Sequence, residues 1–520
     1  MNFDGRPSDP IILGKQLSLE DFVLISREDI QVSLAAECEE RMKASQKTLI
    51  EWIATGNDVY GVTTGLGALS DCKISRNEAV KMQKNILRSH AVSVGKPLSR
   101  EQTRGTMTLI VQNLSAGYSG IRKCLLDKYI EILNKCVIPW APGSGSVGYL
   151  CQEAHIGLVI IGEGKAFYED RLMPACKALK KAGITPIELQ PREALAMISG
   201  TTSATAIGAL AIYDMIKASK SADVIAALNV EVSGGQISAF DERAMAIRPH
   251  EKQQKTAANL RKILKDSKYL NEAKGLNLQD PLSVRCIPQL HGAANTMLAN
   301  AKKVIEIEMN SCCDNPVIFS NRGSEETESV NKVISACNAD SSFIGMNMDS
   351  ACIAATCLAK MSERRNYRLL DGSIPWLPKF LTEGSAINSG LMIAQYSQAG
   401  ILNEMRMLST PASIDSIPTS AGQEDYVAMG YNASKKAAEA AEKLEYVLAI
   451  ELLSVYQAAA ISSRRDDFGE CMKKILYLIE TRISVIKEDV YLHDYIEYLK
   501  DLIHSGTLVK TVEEVVGSLY

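Results

Sequence analysis

Net charge is scarce. Across 520 residues the formal balance is only −4, which leaves no basic footprint for nucleic acid or for an anionic membrane surface. Paired cysteine spacing is missing too. The chain holds 13 cysteines, an odd number with no C-x-x-C pair, and the adjacent Cys312 and Cys313 do not make a usual metal-site pattern. Thiols in that arrangement fit a reducing cytosol better than a secreted disulfide scaffold, so a cytoplasmic protein without a bound metal is expected. Residues 1–10 are polar and carry no apolar signal core. The longest apolar stretches, 156–161 and 444–461, are too short or are interrupted by glutamate, and no membrane span is expected. Low-complexity tracts, long linkers and alternating strand–helix units are also absent. That disfavours an α/β nucleotide-binding fold, and the Gly65–Gly67 spacing is a weak signal without such a unit around it.

What is present is ordinary globular composition, 46% hydrophobic and 23% charged, with helical periodicity. Segments 204–230, 288–309, 346–370 and 429–460 carry apolar residues at three- and four-residue spacing. Their alanine content favours long, closely packed helices. An all-α fold is expected, with a long central helical bundle and a smaller, mainly helical N-terminal region. The division is placed at 1–203, with the tyrosine loop and a glycine-rich segment, and 204–520, with the bundle and the C-terminal helices. Glycine and serine cluster at 61–67, 143–148, 199–203 and 387–390. Loops on a rigid scaffold are where chemistry tends to sit.

Several of these segments form an ordered set of motifs. Residues 60–67 read YGVTTGLG, 85–91 NILRSHA, 279–286 QDPLSVRC, 388–395 NSGLMIAQ and 418–425 PTSAGQED, with DNP at 314–316 and SERR at 362–365. In order and spacing, from Tyr60 to Leu453, the set resembles the histidine/phenylalanine ammonia-lyase family, on the histidine side. The segment after about Ala460 matches less clearly. The resemblance implies an ammonia-lyase/fumarase-like architecture, a homotetramer with shared sites, and a small amino acid as substrate. It also implies elimination of ammonia from an aromatic amino acid to give an α,β-unsaturated acid.

That family usually activates the amine with a methylidene-imidazolone built from an internal Ala-Ser-Gly, an electrophile derived from the chain itself. Its segment reads roughly GSVGASGDL, followed by AH and GEG. Here residues 142–150 read PGSGSVGYL, with Ala154-His155 and 162–164 in register. Gly145, Ser146, Val147 and Gly148 remain, the next three positions are gone, and Tyr149 stands where the aspartate would. No such cofactor is expected. Gly143-Ser144-Gly145 is an X-Ser-Gly triplet that could cyclise in principle, but its flanks give no reason for the strained loop this needs. A plain glycine-rich turn is the bland reading. Nearby departures are coherent with the loss: the family's Asn is Ser199, its QDPYS tyrosine is Leu282, and its Phe-His pair is Ala339-Asp340.

By the same resemblance, Tyr60 is the β-proton base. A phenol must then be shifted below its ordinary pKa of ~10 to act near neutrality, and the bland alternative is a packed loop tyrosine. Arg285 would grip the substrate carboxylate through two parallel hydrogen bonds, against a plain helix salt bridge. His90 and Glu424 would face the substrate side chain, Glu424 accepting from an imidazole N–H; a satisfied core histidine is the alternative for His90. Asn388 and its neighbours would offer amide donors near the carboxylate, Gln289 would assist, and Ser199 would border the substrate. His155, His250 and His291 read as structural. Three functions stay open. The first is a histidine ammonia-lyase giving trans-urocanate without the imidazolone, feasible because protonated imidazole eases carbanion formation at the β-carbon. The others are a non-catalytic amino-acid-binding relative and an aminomutase.

Overall fold

The computed structural model describes residues 9–275, 277–320, 332–382 and 386–520; most of the polar segment 1–10 lies outside them. Helices dominate. The expected helical segments are found as Thr202–Val232, Ile287–Met309, Ser342–Leu370 and Gly430–Ala460. Alanine and β-branched side chains crowd all faces of Thr202–Val232, and nearly every position is buried. A helix that is apolar all round belongs in a core. By length and composition, Glu193–Val232, Ser342–Leu370 and Gly430–Ile461 could each cross a bilayer, contrary to the expectation from apolar run length. Their apolar windows are 100%, 56% and 83% buried within the protein.

The chain divides into two compact units, and four of the five boundaries fall inside those four helices, the fifth after Met392–Leu408. One comprises residues 1–210, 302–348 and 411–435, the other 211–301, 349–410 and 436–520. The first therefore takes in two later segments besides the expected N-terminal region, residues 1–203. It contains short strands that helical periodicity does not reveal. Val94–Pro97 pairs antiparallel with Pro142–Ser144, and Lys165–Tyr168 lies between Ile138–Pro139 and Arg171–Pro174. Capping fixes two helices near the glycine-rich loops. The Ser75 amide donates to the Glu78 carboxylate at 3.1 Å ahead of Arg76–His90. Ser99 and Gln102 exchange bonds of 3.1 and 3.2 Å ahead of Arg100–Ser115. Each such box satisfies donors the first turn leaves free.

A buried polar network locks the second unit. Arg365 grips Glu451 with two bonds of 2.7 and 2.8 Å, both side chains fully buried. Asn229 also donates to Glu451 at 3.0 Å. His291 shares Asp223 with Asn259 at 2.8 and 3.0 Å. These residues lie on five helices, so the structural role expected for His291 agrees with its place. Buried ions persist only when paired and hydrogen-bonded. Asp214, Glu445 and His504 gather their ligating atoms within 4.8 Å. The Lys217 and Lys500 ammoniums lie 3.6 Å from Asp214 and 3.9 Å from Glu445, which makes the trio belong to an ion-pair cluster.

Candidate active site

Three sequence-predicted residues come together in the first unit. Tyr60, His90 and Glu424 line one cavity of about 770 Å³, along with Gly145, Val147, Tyr149, Leu195 and Ser420. The Tyr60 loop is anchored from beneath by Val59 and Val62, which pack with Leu49 and Ile318. Its turn is closed by amides of Gly65 on Cys72 and Ile74 on Thr63, at 3.0 and 2.8 Å. Gly61 and Gly67 have φ of +68° and +53°. A side chain at Gly67 would also run into the Ser420 hydroxyl. Only glycine meets both demands without strain.

The Gly67 amide donates to the Tyr60 hydroxyl at 2.8 Å. Burial nevertheless raises the Tyr60 phenol above its ordinary value, the Gly67 bond offsets some of this, and the negative charge of Glu424 adds to the rise. The expectation of a lowered phenol is corrected: in the free protein Tyr60 holds its proton more tightly than tyrosine in water.

His90 ends the helix Arg76–His90. Its Nδ1 lies 2.8 Å from the Ile86 carbonyl and 3.0 Å from the Ser89 hydroxyl. A carbonyl only accepts, so Nδ1 carries the proton and Nε2 is left as an acceptor. Burial pushes the imidazole below its ordinary value, with the Ile86 bond opposing. Glu424 Oε2 is buried with no hydrogen-bond partner among the described residues. A buried carboxylate oxygen without a donor calls for one from a ligand or water.

The glycine-rich segment is laid out as follows. Pro142–Ser144 is extended strand. The Gly143 carbonyl accepts from the Tyr431 hydroxyl at 3.2 Å, and the Ser144 hydroxyl from Lys435 at 3.3 Å. Ser146 is buried and turns inward, its hydroxyl donating to the Tyr149 carbonyl at 3.3 Å and accepting from the Gly148 amide at 3.2 Å. Leu150 has φ +80° and ψ −55° just before the helix Cys151–Ile160, a conformation costing about 1–3 kcal/mol for a residue with a side chain. It brings Tyr149 to the cavity wall. Sequence reasoning took Tyr149 only as a replaced aspartate. The signal was there, a phenol at the point where three residues are missing, but not its direction.

Ser199 is not brought to the cavity wall. It is buried, and its hydroxyl accepts from the Asn315 amide at 3.1 Å. In the second unit, Arg285 closes the short helix Leu282–Arg285. Its Nε is buried without a partner among the described residues, as is the side-chain oxygen of Gln289 four residues on. An amide can be turned to present nitrogen instead, so both residues can offer donors to an anion. The backbone donors beside Asn388 are already engaged. The Ser389 and Gly390 amides both donate to Asp489 at 2.8 Å, and Asn388 Oδ1 accepts from the Asp489 amide at 3.1 Å. One carboxylate, Asp489, thus occupies both backbone amides and leaves the Asn388 side-chain NH2 as the donor of this segment.

A phenol, an imidazole and an underused carboxylate around one cavity on a helical scaffold are the equipment of an acid–base enzyme. Comparison with known proteins defines which. The sequence pattern of the family described as aromatic amino acid lyase matches residues 17–481. A histidine ammonia-lyase from Alkaliphilus oremlandii is 40% identical over 509 residues, 97% of this chain and 99% of its own. Among solved structures, tyrosine aminomutase from Streptomyces globisporus is 29% identical with a TM-score of 0.92, over 98% of this chain and 100% of that one. The ergothioneine-degrading enzyme ergothionase from Treponema denticola is 27% identical with a TM-score of 0.88, over 96% and 100%. The chain belongs to the aromatic amino acid lyase family and is a carbon–nitrogen lyase.

Proposed function

We propose that the protein eliminates ammonia from L-histidine to give trans-urocanate, without a methylidene-imidazolone. The observation that carries this is Tyr60, His90 and Glu424 around one cavity in a chain 40% identical to a histidine ammonia-lyase. The phenolate of Tyr60 takes the β-proton. The C–H electron pair becomes the new double bond, and the C–N pair leaves with nitrogen, which departs from the ammonium as neutral ammonia. Glu424, lacking a donor, accepts from an imidazole N–H and favours imidazolium, which acidifies the β-carbon. Arg285 and Gln289, with unpartnered polar atoms, hold the carboxylate.

The residues present do not fit the family's cyclised cofactor. Cyclisation at Gly143-Ser144-Gly145 would need a tight turn where extended, paired strand lies. It would also consume a Gly143 carbonyl that is held by Tyr431. Tyr149 takes wall space beside Tyr60. Exposed apolar side chains at Phe343, Ile353, Ile393, Tyr396 and Met407 supply faces for the homotetramer that belongs to this reading.

The test is direct: purified protein with L-histidine, followed by urocanate absorbance. Growth of that band is expected. A second reading has its own support, the likeness to ergothionase. Ergothioneine is a histidine derivative whose amine is already trimethylated, and such an amine leaves as a neutral molecule with no electrophile to activate it. The same assay with ergothioneine decides between them, and silence with both substrates overturns a lyase acting on histidine-type molecules.

A further inference from the structure

We propose that Tyr149 is a specificity-determining residue that receives the substrate's amino group as a cation. This deepens the elimination proposed above and rests on it.

Four observations converge. Tyr149 lines the same cavity as Tyr60, His90 and Glu424. Its hydroxyl has no hydrogen-bond partner among the described residues, although the loop behind it is tied down at Ser146, Gly148 and Cys151. The left-handed backbone at Leu150 is what aims this loop, and Gly148 is packed so closely on Ser341 that a Cβ there would lie 2.7 Å from its hydroxyl. The position is therefore built, not incidental. Finally, burial first and then the acidic groups around it, Glu424 foremost, push the Tyr149 phenol up to about 12. Near neutrality the carboxylates Glu424 and Asp340 carry that negative charge, while Cys337 and Tyr60 keep their protons. Behind it, the first amide of the helix Cys151–Ile160 turns back to the Tyr149 carbonyl at 3.1 Å.

A neutral phenol in a negative field is poor company for an anion and good company for a cation, through both the ring face and the hydroxyl oxygen. An enzyme relying on an electrophile must meet a neutral, nucleophilic amine. A wall of this kind instead keeps the amine charged, which is the state from which nitrogen leaves unaided. The substrate class is thus an α-amino acid whose nitrogen is a full cation, protonated or methylated.

The experiment measures dissociation constants by calorimetry for L-histidine, its Nα-trimethyl betaine and imidazole-4-propionate, which lacks the amine. The wild-type protein should bind both cationic ligands about tenfold more tightly than the propionate, in line with a desolvated cation–aromatic contact. Tyr149→Leu should abolish that preference while imidazole-4-propionate binds as before, which also reports an intact site. Equal weakening of all three ligands, or an undiminished preference, overturns the inference. Should the variant fail to fold, the wild-type betaine measurement still decides, because a betaine bound tenfold worse than imidazole-4-propionate excludes a cation receptor. Turnover without the preference would sink this inference alone. The preference without turnover would sink the proposed elimination alone.

Discussion

At the scale of single residues, the functional signal is polar atoms left without partners, in each unit separately. Among the described residues, Arg285 Nε and Gln289 Oε1 in the second unit and Glu424 Oε2 in the first are buried and unbonded, and natural proteins carry few such atoms without a reason. Arg285→Lys replaces a planar fork by a point charge. We expect kcat/KM to fall roughly 30- to 150-fold, the equivalent of about 2–3 kcal/mol for a lost charged hydrogen bond, with an unchanged circular dichroism spectrum. Unaltered kinetics would make Arg285 structural. Tyr60 yields a pH prediction of definite sign. A base must be ionised, and burial together with Glu424 raises its phenol. The rising limb of kcat/KM should therefore lie on the alkaline side, and Glu424→Gln should move it to lower pH by removing the opposing charge. A limb that stays put in Glu424→Gln would show that another group limits the rate. Comparing two enzymes with one substrate cancels the substrate's own ionisation.

At the scale of elements, the long helices carry both the stability and the legibility. The Arg365–Glu451 pair is wholly buried, and removing one member strands the other. Glu451→Gln should cost about 3–5 kcal/mol, read as a lower midpoint in denaturant; a midpoint within error of wild type would contradict it. The four long helices could be read to within a few residues because apolar spacing over twenty or more positions admits one period. The strands could not, since Val94–Pro97 and Pro142–Ser144 are a few residues each and find each other across some forty-five positions. The site shows the same contrast. Tyr60, His90 and Glu424 were named from local motifs and share a wall. Ser199 and Asn388 were also named from motifs, but their side-chain oxygens accept from the amides of Asn315 and Asp489, about a hundred residues away, which no local pattern foretells. Tyr149 gains its role from the backbone turn at Leu150, a property of the folded loop and not of the residue type.

At the scale of the whole molecule, the mass of the protein is itself informative. Intact-mass spectrometry should return the full, unmodified polypeptide, because cyclisation and dehydration would remove two waters. A two-water deficit mapped to the peptide containing Ser144 would overturn the cofactor-free reading. Light scattering should give an assembly about four times the 56.6 kDa chain, and a monodisperse monomer would count against shared sites. The buried helices Glu193–Val232 and Gly430–Ile461, and the half-buried Ser342–Leu370, carry a further consequence for how such a protein can be produced. Folding hides these windows, but an export channel reads the chain while it is still extended, and it releases sufficiently apolar stretches sideways into lipid. Fused to a secretion signal, this chain would be sorted as though it were a multi-pass membrane protein and would stall on its way out.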